Sequence, residues 1–165
     1  MLSNWVANSE MKKLLKDISD HPSVENLKFN FSELYDLFFP EFKKVKDCII
    51  ISKKSVNGLE MFFDKAMEMY KYKTWYESSC SDTRIDCYFE GKVSMMARTQ
   101  IALMALEIWA LRLKQIDPDS KFCLIMYSNE DRVEIRFHKV RENEIKWLAD
   151  DLEGYQGDAV GYVIV

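Results

Sequence analysis

Glu134, Arg136 and His138 stand at alternate positions of "DRVEIRFHKV", and together they hold the one set of residue types here that suits acid–base chemistry. On a strand, alternate side chains share a face and sit roughly 6.6 Å apart. A carboxylate base, a guanidinium clamp and an imidazole acid at that spacing could surround a phosphodiester, as in a small ribonuclease. Alternating charge on the wet face of a half-buried strand is also the ordinary pattern and needs no chemistry. Cys48, Cys80, Cys87 and Cys123 form no CxxC pair, and His21 and His138 are the only histidines. A tetrahedral metal site would therefore need scattered ligands, and the expectation is free thiols with no metal, no cofactor and no catalytic residue.

Charge is informative once it is located. Residues 1–140 balance, with 21 Lys/Arg and 21 Asp/Glu. Glu142, Glu144, Asp150, Asp151, Glu153 and Asp158 then face Lys146 alone, so the formal net charge of −4 comes from this one segment. Phosphate binding needs a basic patch, which argues against a nucleic-acid partner. A basic protein fits better. No signal peptide pattern is visible, and the richest apolar run, "IALMALEIWAL", is too short to cross a bilayer and contains Glu107. A cytoplasmic protein is expected, with no membrane partner.

The elements that would position these residues can be read from periodicity. One globular domain over 1–165 is expected, since no repeat, low-complexity tract or linker divides the chain. Met11, Leu14, Leu15 and Ile18 mark a helix over 9–19 that ends before His21-Pro22. Ser32 is the expected cap of a second, with Leu34, Leu37 and Phe38, stopping at Pro40. "CIIIS" at 48–52 suggests a short strand. Asn57 is the expected cap of a third helix, with Leu59, Phe62, Phe63, Ala66 and Met69 or Tyr70 on its inner face. Residues 73–90 suggest a hairpin of two modest strands.

The spacing predicts one long, largely buried helix over 95–116, whose polar stripe is only Gln100, Glu107 and Lys114. Met95, Met96 and Met104 are expected as core filling rather than a binding groove. A hairpin spans 121–140, with Val133, Ile135 and Phe137 on one face and Arg132, Glu134, Arg136 and His138 on the other. Residues 144–153 are expected to be a short helix with Ile145, Leu148 and Leu152 inward and Gly154 just past its end. "AVGYVIV" is a closing strand. The sum is α+β: an antiparallel sheet on the long helix, with further N-terminal helices.

If 144–153 is helical, Asp150, Asp151 and Glu153 crowd its C-terminal end, where the macrodipole disfavours acids by roughly 0.3–1 kcal/mol each. Folding alone would place Lys or Arg there. That points to an acidic docking surface, with Asp150, Asp151, Glu153 and Asp158 as leading contacts and Glu142 and Glu144 in support. Trp147 and Tyr155 are its candidate aromatic anchors, or core.

"DRVEIRFHKVRENEIKWLADDLEGYQGDAVGYVIV", preceded by the Ala/Leu-rich helix and "DPDSKFCLIM", resembles the immunity proteins of bacterial contact-dependent growth inhibition and related polymorphic-toxin systems. The likeness covers about the last 70 residues, carried by Arg136-Phe137-His138, Trp147 to Leu152 and the closing strand. It implies a cytosolic, non-enzymatic inhibitor, expected as a monomer, that binds one cognate toxin C-terminal domain, often a nuclease. An acidic secretion chaperone, expected as a dimer, is the alternative protein-binding reading, and a hydrolase using Glu134, Arg136 and His138 the catalytic one.

Overall fold

A computed structural model describes residues 2–23 and 26–165. Its centre is the helix α6 (Met95–Ile116), 22 residues long, capped by the Ser94 hydroxyl accepting from the Ala97 amide. Against it lies a five-stranded antiparallel sheet in the order β1-β7-β5-β6-β4, made of β1 (Val6–Ala7), β4 (Thr83–Arg84), β5 (Phe122–Ser128), β6 (Val133–Lys139) and β7 (Ala159–Ile164). Strand alternation sends Phe122, Leu124 and Met126 of β5 and Val133, Ile135 and Phe137 of β6 into the core, all fully buried with Leu106, Trp109 and Leu113 of α6. Trp109 meets Phe137 edge-on at 6.1 Å, and its indole N–H donates to the Leu37 carbonyl at 2.9 Å. Removing a ring so enclosed costs about 3–5 kcal/mol.

Helix α1 (Ser9–Asp20) covers the β7 side with Met11, Leu14 and Ile18 buried, as the periodicity predicts. Gly161 lets it approach: a Cβ there would stand 3.0 Å from Ala7 Cβ and 3.1 Å from Met11 Cγ. Helix α2 (Phe31–Phe38) starts at Asn30 rather than Ser32, because the Asn30 side chain accepts from the Ser32 amide. A two-stranded sheet, β2 (Phe42–Val45) with β3 (Cys48–Ile51), supports a minor core of Val45, Cys48, Ile50, Phe63 and Tyr76. The third expected helix is two: α3 (Val56–Met61), capped by Ser55 rather than Asn57, and α4 (Phe63–Tyr70). The break at Phe62 turns Phe62 out to 59% exposure while Phe63 stays buried. Met104, expected in the core, is half exposed on the outer side of α6.

The hairpin expected over 73–90 is not formed. Residues Lys73–Cys80 are the helix α5, followed by β4 and a 3-10 turn at Ile85–Tyr88. Its inward stripe is Thr74, Glu77, Ser78 and Ser81, at helical spacing and all buried. Two of them, Ser81 and Glu77, finish two sheet edges. The Ser81 hydroxyl bonds both the carbonyl and the amide of Phe137 at 2.9 Å, and Glu77 accepts from the Lys139 amide on β6 and the Ile49 amide on β3, each at 2.8 Å. An open strand edge is thereby closed by a helix, and the small sheet is tied to the large one. Among the described residues no helix is long and apolar enough to cross a membrane.

Candidate functional site

Both β6 and β7 run antiparallel to β5 and flank it, so Lys139, opposite Phe122, and Ala159, opposite Ser128, lie at opposite ends of the sheet. Residues 140–158 must travel that length, about 20 Å for a seven-residue strand. They do so as an irregular strap across the outer face, away from α6, where Trp147 and Leu148 line a shared cleft with Cys123, Ile125 and Tyr162. The helix expected over 144–153 is absent; only Leu152–Gly154 makes a single 3-10 turn. A ten-residue helix would span about 15 Å, would be too short to be stable by itself, and would carry its acids at the wrong end of its dipole.

Side chains pin the strap instead. Leu152 is buried and Tyr155 half-buried, with the Tyr155 hydroxyl accepting from the Ala149 amide at 3.4 Å. Trp147 lies with its ring 5.0 Å from the Arg136 guanidinium and 6.2 Å from the Trp75 ring. Asn8 uses all its side-chain capacity on this closure: Nδ2 donates to the Asp158 and Leu152 carbonyls at 2.7 and 3.4 Å, while Oδ1 accepts from the Val160 and Met11 amides at 3.1 and 3.0 Å. At the start, Arg141 meets Glu77; burial pulls the Arg141 pKa down, but the Glu77 hydrogen bonds and the negative charge around it together raise it above its ordinary value.

The acidic residues divide into two groups. Glu144 accepts from the Thr74 amide at 2.7 Å, and Glu153 accepts from the Ser9 amide and hydroxyl at 2.9 and 2.8 Å. Thr74 and Ser9 lie in the first turns of α5 and α1, where orphan amides and the positive dipole end favour a carboxylate. The sign of the expected dipole effect is therefore reversed: these two acids favour folding. Although burial opposes it, the Thr74 bonds hold the Glu144 carboxyl below its usual range. Asp158 accepts from the Asn129 amide group at 2.9 Å. Asp151 caps the 3-10 turn through the Glu153 amide at 3.0 Å, and Asp150 pairs with Lys146. Glu142, Asp150 and Asp151 are the acids that remain exposed and turned to solvent without anchoring another element, beside half-exposed Ile145.

The Glu134, Arg136 and His138 trio is occupied otherwise. Arg136 donates to Asp82 at 2.9 Å and to Glu134 at 3.2 Å beneath Trp147, so its guanidinium is not open to a phosphate. His138 is only 8% exposed, with Nδ1 3.0 Å from the Lys139 carbonyl, and burial pushes its pKa down. Burial likewise pushes the thiols of Cys48 and Cys123 up to about 12 and that of Cys80 up to about 11, which keeps them protonated. Among the described residues no three His, Cys, Asp or Glu side chains are grouped to hold a metal ion.

Sequence reasoning missed the charged cluster at the root of the strap. Lys139 Nζ bridges Asp47 at 3.0 Å and Asp117 at 2.9 Å, and Lys73 reaches Asp47 at 3.2 Å. Burial raises the Asp47 pKa, but the lysine hydrogen bonds outweigh it and hold the carboxyl at about 2. The only available signal was Glu77 inside the aromatic run "TWYESSC".

Residues 6–163 match a family described as the uncharacterized protein PM0498 family. The chain belongs to that family. The match runs from the start of β1 into β7 and stops one residue short of its end, so the matched stretch includes the strap as well as the sheet. No curated protein and no solved structure matches the chain.

Proposed function

We propose that this protein is an immunity-type inhibitor that binds the C-terminal domain of a cognate toxin and neutralises it by occlusion, without turnover. The observation that carries this reading is the strap itself: Glu142, Asp150, Asp151 and the apolar Ile145 are all exposed on one segment whose backbone is pinned by Trp147, Leu152 and Asn8. Preorganised carboxylates next to apolar surface suit a basic partner such as a nuclease active site, because they raise the encounter rate and need little ordering on binding. The work is binding in the cytoplasm of the producing cell, with no nucleic acid or membrane involved.

The test is to sequence the genes beside this one and to co-express the protein with any toxin C-terminal domain they encode. Rescue of growth and co-purification of a stoichiometric complex are expected; a toxin that is neither bound nor neutralised overturns the reading. One feature favours the secretion-chaperone alternative, namely the half-exposed Met104 and Leu111 on the outer side of α6, which could seat a second copy. A monomer by solution mass, and a partner inactive while bound, decide against that alternative.

A further inference from the structure

The strap does not seal the outer face of the sheet. Between them lies a cleft of about 110 Å³, floored by Cys123, Ile125 and Tyr162 and walled by Trp147, Leu148 and Ala149. Exposed Ile164 and Val140 stand at its edge, and Asp150 with its partner Lys146 lines its mouth. His138 also lines it, more than nine-tenths buried, and its Nε2 has no hydrogen-bond partner among the described residues.

We infer that this cleft receives one aliphatic side chain, up to leucine in size, presented by the basic-surfaced protein partner proposed above. The inference rests on that reading and adds to it the anchor point of the interface. Size sets the limit: the cleft is smaller than the cavity of about 150 Å³ that takes one benzene, so it receives a single small apolar side chain and no bulkier segment. Charge decides the surroundings. Asp150, Asp151 and Glu142 on the strap favour Lys or Arg around the inserted side chain, and Lys146 is already paired with Asp150. Burial keeps His138 neutral, so no cation opposes an apolar occupant at the floor. An aliphatic anchor in a preformed pocket with a polar rim is an arrangement that can fix the register of a protein interface.

Isobutanol, a water-soluble carrier of the branched tail of leucine, probes the cleft without any partner. Titration of the full chain, followed by ¹⁵N–¹H spectra, is expected to give saturable shifts at the Trp147 indole and the Cys123, Ile125 and Tyr162 amides. Cys123→Leu, which fills the cleft from its floor, removes them. Shifts that do not saturate, or that spread equally over exposed Met61 and Phe62, overturn the inference, and the wild-type titration decides this whether or not the variant folds. In the toxin complex, Cys123→Leu is expected to weaken affinity at least tenfold; unchanged affinity overturns the assignment of the occupant. Saturable isobutanol binding by a protein that binds no toxin would leave an aliphatic site, overturn its assignment to the toxin and remove the proposed function itself.

Discussion

Arg141 grips Glu77 across 64 residues of sequence, Nη1 to Oε2 at 2.7 Å and Nη2 to Oε1 at 3.1 Å. Glu77 has no exposed surface and holds four donors at once: both arginine nitrogens and the amides of Ile49 and Lys139. One carboxylate thus joins α5, both sheets and the root of the strap. A charge buried this way is tolerable because each oxygen is satisfied twice.

Removing one partner should therefore be worse than removing both. Arg141→Met leaves Glu77 buried and unpaired, and a loss of about 3–5 kcal/mol in urea unfolding is expected. Glu77→Gln keeps part of the hydrogen bonding but strands the guanidinium, and is expected to cost less. Double replacement by Glu77→Gln and Arg141→Met leaves no unpaired charge and keeps an acceptor for the backbone amides, so it is expected to cost less than the two single losses added together. A double variant simply additive in the two losses would mean that the pair is not coupled.

Ser78 gives a control of opposite sign. Its hydroxyl oxygen is buried on α5 and has no hydrogen-bond partner among the described residues. Ser78→Ala removes an unsatisfied group and improves helix propensity, so stability is expected to hold or rise by up to about 1 kcal/mol. A loss beyond about 1 kcal/mol would show that the hydroxyl is satisfied in solution.

The pH dependence follows from the same groups. Asp47, held at about 2, and Glu144, Asp86 and Asp117, all held below their usual range, contribute stability that is present above the ordinary carboxylate pKa and lost as pH falls through the folded values. His138, pushed below 6.5 by burial, acts in the same direction because the unfolded chain takes its proton first. At the alkaline end the unfolded thiols ionise near 9, while Cys48, Cys80 and Cys123 in the fold resist to about 12, 11 and 12, so stability falls above pH 9. Urea midpoints are expected to be highest near pH 7–8.5, to begin falling below about 6.5, and to drop most steeply between about 4 and 2. A midpoint that rises from pH 8 to pH 10 would contradict the buried-thiol account.

What could be read in the sequence follows from where each signal resides. The α6 helix, the β5–β6 hairpin and β7 carry apolar periodicities of 3.6 or 2, written within a few residues of themselves. Helix α5 does not, because its buried stripe of Thr74, Glu77, Ser78 and Ser81 is polar and its aromatic residues mimic a strand. The strap failed for a related reason. Ile145, Leu148 and Leu152 have helical spacing, but the partners that fix the chain are Thr74, Ser9 and Asn8, some 70 to 150 residues away. Local sequence shows that acids are present; only the fold shows whose amides they cap.

Asn8 measures how firmly the strap is closed. Asn8→Ala leaves the Val160 and Met11 amides and the Asp158 carbonyl without their buried partner, and a cost of about 2–3 kcal/mol is expected. Hydrogen exchange is the sharper readout. Faster exchange concentrated in residues 147–160, with β5 and β6 protected, is expected if the strap opens as a unit. Uniform acceleration would mean that it cannot open separately from the sheet.

The two groups of acids make opposite predictions for binding and for folding. Glu144→Gln and Glu153→Gln each weaken a cap at a helix N-terminus, so each is expected to lower stability by about 0.5–2 kcal/mol. Their effect on toxin association should be small wherever the variant remains folded. The triple variant Glu142→Gln, Asp150→Asn, Asp151→Asn removes exposed charge that anchors no other element, so stability should stay within about 0.5 kcal/mol of the parent. Its association rate should fall and its salt dependence flatten, because rim charges act mainly on encounter. Were the outward charges buried against Arg or Lys of the partner instead, dissociation would quicken and the cost would be about 2–5 kcal/mol. A triple variant with unchanged association, dissociation and salt response would remove the strap from the interface and leave the exposed aromatic side of α2, with Phe31 and Tyr35, as the next surface to mutate.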